Sequence, residues 1–406
     1  MPSFDSFCRL CAIAACLAIG ACTTGKTPPA PPPAPEPPPA PHQLAAQAPS
    51  FLTLPNLAPE RVPVRVGVIL PFSNANANVR ALAGALMRAA ELALYDSANT
   101  NIILMTAEDG GTPEESAAAV QKLLDQGAEV IVGPLFAASV SAVAPLARDR
   151  GVPVLAFSTD RSVAGNGIYL LSFQPQSEVR RIIAYAVSQG RTKIGAMIPQ
   201  TPYGELVEAT FREAVQQNGA AVCDVEHFSP STGALTDPAA AIAKAGCDSI
   251  LVPLSGSLLR GVVQTLNYSQ IDLTKVKLLG TGLWFEPSAL KEPLLQGAWF
   301  AAPQPSLDDA FDAKYKQTFG SDPQQLASLA YDAVSLVALL ANGTAYHRFT
   351  FRALTDANGF AGVNGIFRFR TDGSIERGLA VLTVAPDGFE VVSPAPATFQ
   401  MAQAHS

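Results

Sequence analysis

Residues Gly20–Thr27 read GACTTGKT, which satisfies the phosphate-binding pattern G-x-x-x-x-G-K-[ST] at each required position. In a nucleotide hydrolase such a turn presents backbone N–H groups to the phosphates, and its Ser/Thr hydroxyl reaches a metal. That chemistry needs a strand before the loop and a helix after it. Here PPAPPPAPEPPPAP follows, from Pro28 to Pro41, and proline supplies no N–H and blocks a helix. The match is an accident. Other reactive combinations are sparse. The body has no G-x-S-x-G, H-E-x-x-H or C-x-x-C, and His42, His227 and His347 stand in unrelated contexts. Metal ligation and a His-based triad are therefore not expected. Glu108-Asp109 and Asp308-Asp309 resemble paired carboxylates, yet the first ends a predicted strand and the second opens a predicted helix. The expectation is a protein with no catalytic residues, no metal and no cofactor.

The start of the chain explains the stretch better. A single Arg9 precedes the uncharged run LCAIAACLAIGA, Leu10 to Ala21, which ends at Cys22. A basic start, about 7–15 apolar residues and small residues before a cut describe a secretory signal peptide, too short for a membrane span. Ile19-Gly20-Ala21-Cys22 resembles the bacterial lipobox, whose cysteine becomes the lipidated N-terminus. Residues 1–21 are then a lipoprotein signal peptide, and Cys22 carries the lipid that holds the protein on a bilayer. Cleavage there also parts Gly20 from Gly25 and removes the apparent phosphate loop. Thr23, not Asp, follows Cys22; by resemblance to Gram-negative lipoproteins, this favours the periplasmic side of the outer membrane. Residues 22–60 form a Pro/Ala-rich tether, roughly 3 Å per residue where polyproline-like. The net charge of -7 with 15% charged residues argues against a nucleic-acid partner, which requires basic clusters.

The elements that position any site alternate regularly. VRVGVILPF (from Val64) is a continuous apolar run, as suits a strand buried on both faces. Helix VRALAGALMRAAELALYDS follows, then NIILMTAED, then TPEESAAAVQKLLDQG with Thr112 as N-cap, Pro113 at N1 and Gly127 at the end. AEVIVGPL, SVSAVAPLARDRG and VPVLAFS complete four strand–helix units, and the cycle restarts after IYLLSFQPQ with SEVRRIIAYAVSQG and KIGAMIPQ. The fold class is α/β, with two doubly wound parallel sheets in two lobes. Near the end, GVNGIFRFRTDGSIERGLAVLTV holds two β-runs joined by Asp372-Gly373, a hairpin signal. Cys223 and Cys247 are a candidate disulfide in an oxidising compartment. Nonadjacent strands stand about 10 Å apart, so a bridge needs Cys223 near a strand end and Cys247 reaching round a loop.

This order of segments resembles the type 1 periplasmic-binding fold of the leucine-binding-protein family. The resembling stretches are GVILPFS, GPLFAASVSAVAPLARDRGVPVLAFSTD, SFQPQ, TPYGELVEATFREAV, the spacing of Phe311, Tyr315, Phe319 and Gly320, AYDAV, and FRFRTDGSIER. The resemblance implies one body over residues 61–392 with three crossings between lobes. We place them near Phe173–Pro175, Ala301–Pro305 and Ala361–Gly365. Lobe 1 then takes about 61–173 plus 304–362, lobe 2 about 174–303 plus 363–392, and 393–406 is a disordered tail. Parallel sheets bind ligands beyond their strands' carboxyl ends. The expected cleft wall is Pro71, Phe72, Ser73, Gly133, Pro134, Ser139, Ser158, Thr159 and Asp160 from one lobe. The other supplies Pro202, Tyr203, Ser255, Gly256, Leu283 and Trp284. Ser139 is expected to begin a helix and to hold a carboxylate there, or else simply to cap it. Phe136-Ala137-Ala138 stands where amino-acid binders of this family carry hydroxyls. Lipid anchor, tether and depleted grip together resemble the penicillin-binding-protein activators, lipoproteins that contact a peptidoglycan synthase. The alternative implied is a solute receptor working with an ABC permease and a branched-chain or other amino acid.

Overall fold

The computed structural model describes residues 63–97, 101–231, 233–305 and 307–399, with the backbone of residues 42 and 43. Cys22 and the signal segment lie outside the described residues. After the short β1 (His42–Gln43), strands β2 (Val64–Leu70), β3 (Ile102–Glu108), β4 (Val130–Val132), β5 (Val154–Ala156) and β6 (Ile168–Leu170) follow in turn. Between them run α1 (Ala77–Asp96), α2 (Pro113–Asp125) and α3 (Ala137–Asp149). These strands make an all-parallel sheet in the order β3-β2-β4-β5-β6. The alternation of a strand sorts its side chains. Val66, Val68 and Leu70 pack with α1, whereas Ile69 packs with α2 and α3. Burying each such side chain stabilises by roughly 1.5–3 kcal/mol, and a sheet covered on both faces needs no polar alternation.

Thr112 accepts from Glu115 N at 3.3 Å and Pro113 opens α2, so the start read from the sequence is the observed one. Gly127 follows that helix at φ +82°, a backbone region that favours glycine.

The second sheet follows from α4 (Pro175–Ser188), β7 (Lys193–Pro199), α5 (Pro202–Gln217), β8 (Ala221–Phe228), α6 (Thr236–Ala245), β9 (Ser249–Leu251) and α7 (Gly256–Tyr268). Strand β10 (Lys277–Gly280), the one-turn helix α8 (Pro287–Leu290) and β11 (Trp299–Ala302) come next. Helices α9 (Asp309–Phe319), α10 (Ala327–Leu340) and the short α11 (Phe351–Leu354) lead into β12 (Phe360–Gly362), β13 (Gly365–Phe369), β14 (Ile375–Arg377), β15 (Ala380–Ala385) and β16 (Gly388–Ser393). The order is β16-β15-β11-β10-β9-β7-β8, parallel except at β15 and β16. Among the described residues no helix is long and apolar enough to cross a membrane.

Three expectations are corrected. Ala361–Gly365 is not a crossing: β12 and β13 pair antiparallel there. The aromatic side chains of Phe360, Phe367 and Phe369 hold this hairpin on the first lobe's core, Phe369 lying 5.3 Å from the Tyr169 ring. The chain instead changes sheets at Gly378 and Leu379, between β14 and β15. The tail expected to be disordered from 393 is ordered to Phe399, because Ala395 N donates to Gln304 Oε1 at 3.1 Å and Arg368 stacks 4.5 Å from the Phe399 ring. The tether also has a fixed point, since β1 pairs with β12 in parallel, His42 opposite Phe360.

Candidate functional site

In an open parallel sheet the turns after the strands gather at one edge, where ligands bind. In the first lobe these are the turns after β2, β3, β4 and β5. Pro71 is buried, Phe72 half-buried against the core and Ser73 exposed. Asn74 Nδ2 donates to Gly110 O at 2.8 Å, which ties the β2 turn to the β3 turn. The carboxylate pair there serves the backbone. Glu108 Oε1 accepts from Gly110 N at 2.6 Å and Asp109 Oδ1 from Gly111 N at 3.1 Å. Burial pushes Asp109 up to about 6 against those hydrogen bonds.

Gly133 holds φ +89°, and a Cβ there would meet Ile69 O at 2.2 Å, so the turn requires glycine. Pro134 O accepts from Phe157 N at 3.0 Å, which sets this turn beside Ser158–Asp160. Ser158 Oγ accepts from Asp160 N at 3.1 Å, and Asp160 Oδ1 accepts from Ser162 N at 2.9 Å. Both side chains are committed to their own turn; Ser158 is buried, and Thr159 and Asp160 are exposed.

Ser139 does not begin its helix. α3 starts two residues earlier with Phe136 at the N-cap position and no side-chain capping bond. Ser139 is thereby turned fully inside, its Oγ without a hydrogen-bond partner. The Phe136 ring occupies the space over Gly111, where an added Cβ would approach its Cε2 to 2.9 Å.

The second lobe presents a tighter polar group. Tyr203, in the first turn of α5, places its hydroxyl 3.2 Å from Thr281 Oγ1 in the turn after β10. The next residue, Gly282, donates its N–H to Glu178 Oε2 at 2.9 Å. Burial is the main cause that raises Glu178 to about 7, the Gly282 hydrogen bond opposing it. Burial likewise raises the Tyr203 phenol. Near neutral pH the cluster therefore holds a carboxyl group able to donate or accept, beside a neutral hydroxyl. The sequence reading found Tyr203 and missed Glu178, Thr281 and Gly282. A signal existed in Gly280-Thr281-Gly282: a Cβ at Gly282 would meet Glu178 Oε1 at 2.7 Å.

Two further expectations for this lobe fail. Trp284 is fully buried, donates Nε1–H to Val252 O at 3.1 Å and lies against Gly280, so it is core and not wall. The start of α7 at Ser255 and Gly256 is not open to an anion, because Gly256 N donates to Glu286 Oε1 at 3.0 Å. Leu283 is exposed at 40% and Pro202 is exposed.

Residues 63–389 match the periplasmic binding protein family. The chain belongs to that family. Its fold recurs in a structure described as a putative branched-chain amino acid ABC transporter from Rhodospirillum rubrum, 19% identical, covering 81% of this chain and 100% of that one at a TM-score of 0.72. A branched-chain amino acid ABC transporter periplasmic ligand-binding protein from Burkholderia xenovorans LB400 is 17% identical, covering 83% and 97%, at 0.66. A leucine binding protein from Thermotoga maritima is 16% identical, covering 81% and 98%, at 0.56. An uncharacterized protein of Rickettsia prowazekii is 20% identical over 133 residues, 33% of this chain. The chain spans 36% of that relative's length. As a member of this family it is a periplasmic binding protein of type 1 fold with leucine-binding-protein-like lobes.

Proposed function

We propose that this protein is a non-catalytic, lipid-anchored periplasmic module that activates or regulates a peptidoglycan synthase, a penicillin-binding protein. The observation that carries the reading is Phe136 at the N-cap of α3, with Ser139 buried behind it. A solute's carboxylate needs hydroxyls and free amides at a helix start. Here the first lobe offers an aromatic ring, and the second lobe's matching helix start is taken by Glu286. The lipobox at Cys22 and the Pro/Ala-rich stretch after it suit a body that must reach a partner across a gap.

A second reading has its own support. Glu178, Tyr203 and Thr281 form a polar group at the second lobe's carboxyl edge, and the named structural relatives are described as ABC transport components. This reading makes the chain the receptor of an ABC permease for an amino acid. Thermal unfolding of the full chain against an amino-acid panel separates the two. A ligand at 100 times its Kd adds roughly 2.7 kcal/mol to stability. The regulatory reading expects no amino acid to stabilise. Clear stabilisation by one of them would establish the receptor.

A further inference from the structure

The segments that join the lobes line a further cavity. This cavity of about 400 Å³ is lined by Arg161, Arg180, Arg181, Arg370 and Arg377, with Glu376 as its one acid. This stands in a chain whose net charge is -7. Arg161 and Arg180 are already held by Asp372 and Glu213 at 3.1 and 3.0 Å, so the uncompensated charge rests on Arg181 and on the Arg368–Arg370 side of the cavity. Glu376 is shared by Arg368 and Arg370 at 2.9 and 3.2 Å. Arg181 donates to Leu379 O, Ser393 Oγ and Pro394 O, all of them neutral oxygens.

A second, independent observation also points to a ligand. Gln174 is 3% exposed, caps α4 without a side-chain capping bond, and has no hydrogen-bond partner for its Nε2. Arg377 is 6% exposed and is held by Asp332 at 3.7 Å and by the Phe173 and Phe367 rings, so it lends the wall a fixed positive charge. Both residues line the cavity. Buried donors are nearly always paired in folded proteins, and a guanidinium fork matches carboxylate and phosphate oxygens. The remaining wall joins Leu379, Ile375, Pro396 and the Phe399 ring with Ser177 and Ser374.

We propose that this cavity binds a small organic oxyanion, its carboxylate or phosphate against the arginines and its apolar part against Phe399 and Leu379. The cavity volume lies in the range of small-molecule sites. Arg370 and Arg377 belong to the first lobe's β-hairpin and its exit, Arg180 and Arg181 to the second lobe's α4. The occupant therefore grips both lobes at the hinge, where it favours one lobe angle over others. The site stands whether or not the edges bind a solute.

The test is calorimetric titration of the full chain with phenyl phosphate and with phenylacetate, at constant ionic strength, against benzyl alcohol as the neutral control. Saturable binding of either anion but not of the alcohol is expected, weakened about tenfold or more by Arg370→Gln, since charge-assisted bonds are the strong ones. Arg370 is exposed, so this variant keeps the fold; Arg181→Gln is the second. A response to phenyl phosphate alone marks the oxyanion as a phosphate, and to phenylacetate alone as a carboxylate. Absence of saturable binding by both, or binding that neither variant weakens, would overturn the site.

Discussion

Cys223 and Cys247 are bridged over a strand to which neither belongs, with Cα atoms 5.6 Å apart. β7 lies between β8, which carries Cys223, and β9, which starts two residues after Cys247. Two features of the strands allow it. Ile194 pairs with Val222 and Ala196 with Val225, so Cys223 and Asp224 together face Gly195 in a bulge. Gly195 also has no side chain to obstruct: a Cβ there would meet Cys247 Sγ at 2.8 Å. The bridge closes a sequence separation of 24 residues, for which loop closure contributes about 3 kcal/mol. Urea unfolding of Cys247→Ser should show a loss near that size. Gly195→Val should show two more titratable thiols, Cys223 and Cys247, than the parent chain in oxidised protein. Equal stability of bridged and unbridged chains would contradict this account.

Glu178 makes stability depend on pH in a defined direction. Its folded pKa, about 7, lies above the ordinary 4.5. Such an acid contributes stability that is complete below the lower value and lost as pH rises through the higher one. Asp109 and Asp332, each raised to about 6 chiefly by burial, act in the same sense. Comparison with Glu178→Gln isolates one group. Near neutral-to-alkaline pH the variant should be more stable by about 1 kcal/mol or more, since each pKa unit of displacement corresponds to about 1.4 kcal/mol. Near the ordinary pKa the two should converge. A gap that grows on acidification would refute the assignment.

Asp332 and Arg377 test the hinge. Their side chains are 0% and 2% exposed, 3.7 Å apart. Arg377 also donates Nε–H to Ser172 O at 3.1 Å and lies 4.6 Å from the Phe173 ring. It thus ties the third crossing to the first. Removing one partner of a buried pair strands the other charge, at about 3–5 kcal/mol. Asp332→Ala should lose that much in chemical denaturation. Asp332→Asn, which keeps the acceptor for Val363 N, should lose less.

Much of this architecture was legible because burial leaves a period in the sequence. Val66, Val68 and Leu70 against Ile69 announce a strand covered on both faces, and Thr112-Pro113 announces a helix start. The third crossing was not legible, since a hairpin and a crossing both read as apolar runs separated by Gly or Asn. Only the seating of Phe360 and Phe367 in the first lobe's core decides it. The edges were read from the carboxyl ends of the strands and the helix starts expected beyond them. That rule misplaced Ser139 by two residues and put Trp284 on the wall. It also passed over Glu178, whose role depends on Gly282, more than a hundred residues distant. The disulfide stayed open because strand spacing seemed to require Cys223 near a strand end, and a glycine with a bulge removes that condition.

The central claim is that the edges of the two lobes serve a protein partner. The most direct measurement is the rate of glycan-strand synthesis by a purified penicillin-binding protein from the same organism, with and without the full chain, in detergent or liposomes. The account predicts a saturable rise in rate, by about tenfold or less, corresponding to at most about 1.4 kcal/mol of barrier. It also predicts that Phe136→Asp lowers this rise while leaving the chain folded. An unchanged rate at saturating protein, with leucine or another amino acid binding the same preparation, would contradict it.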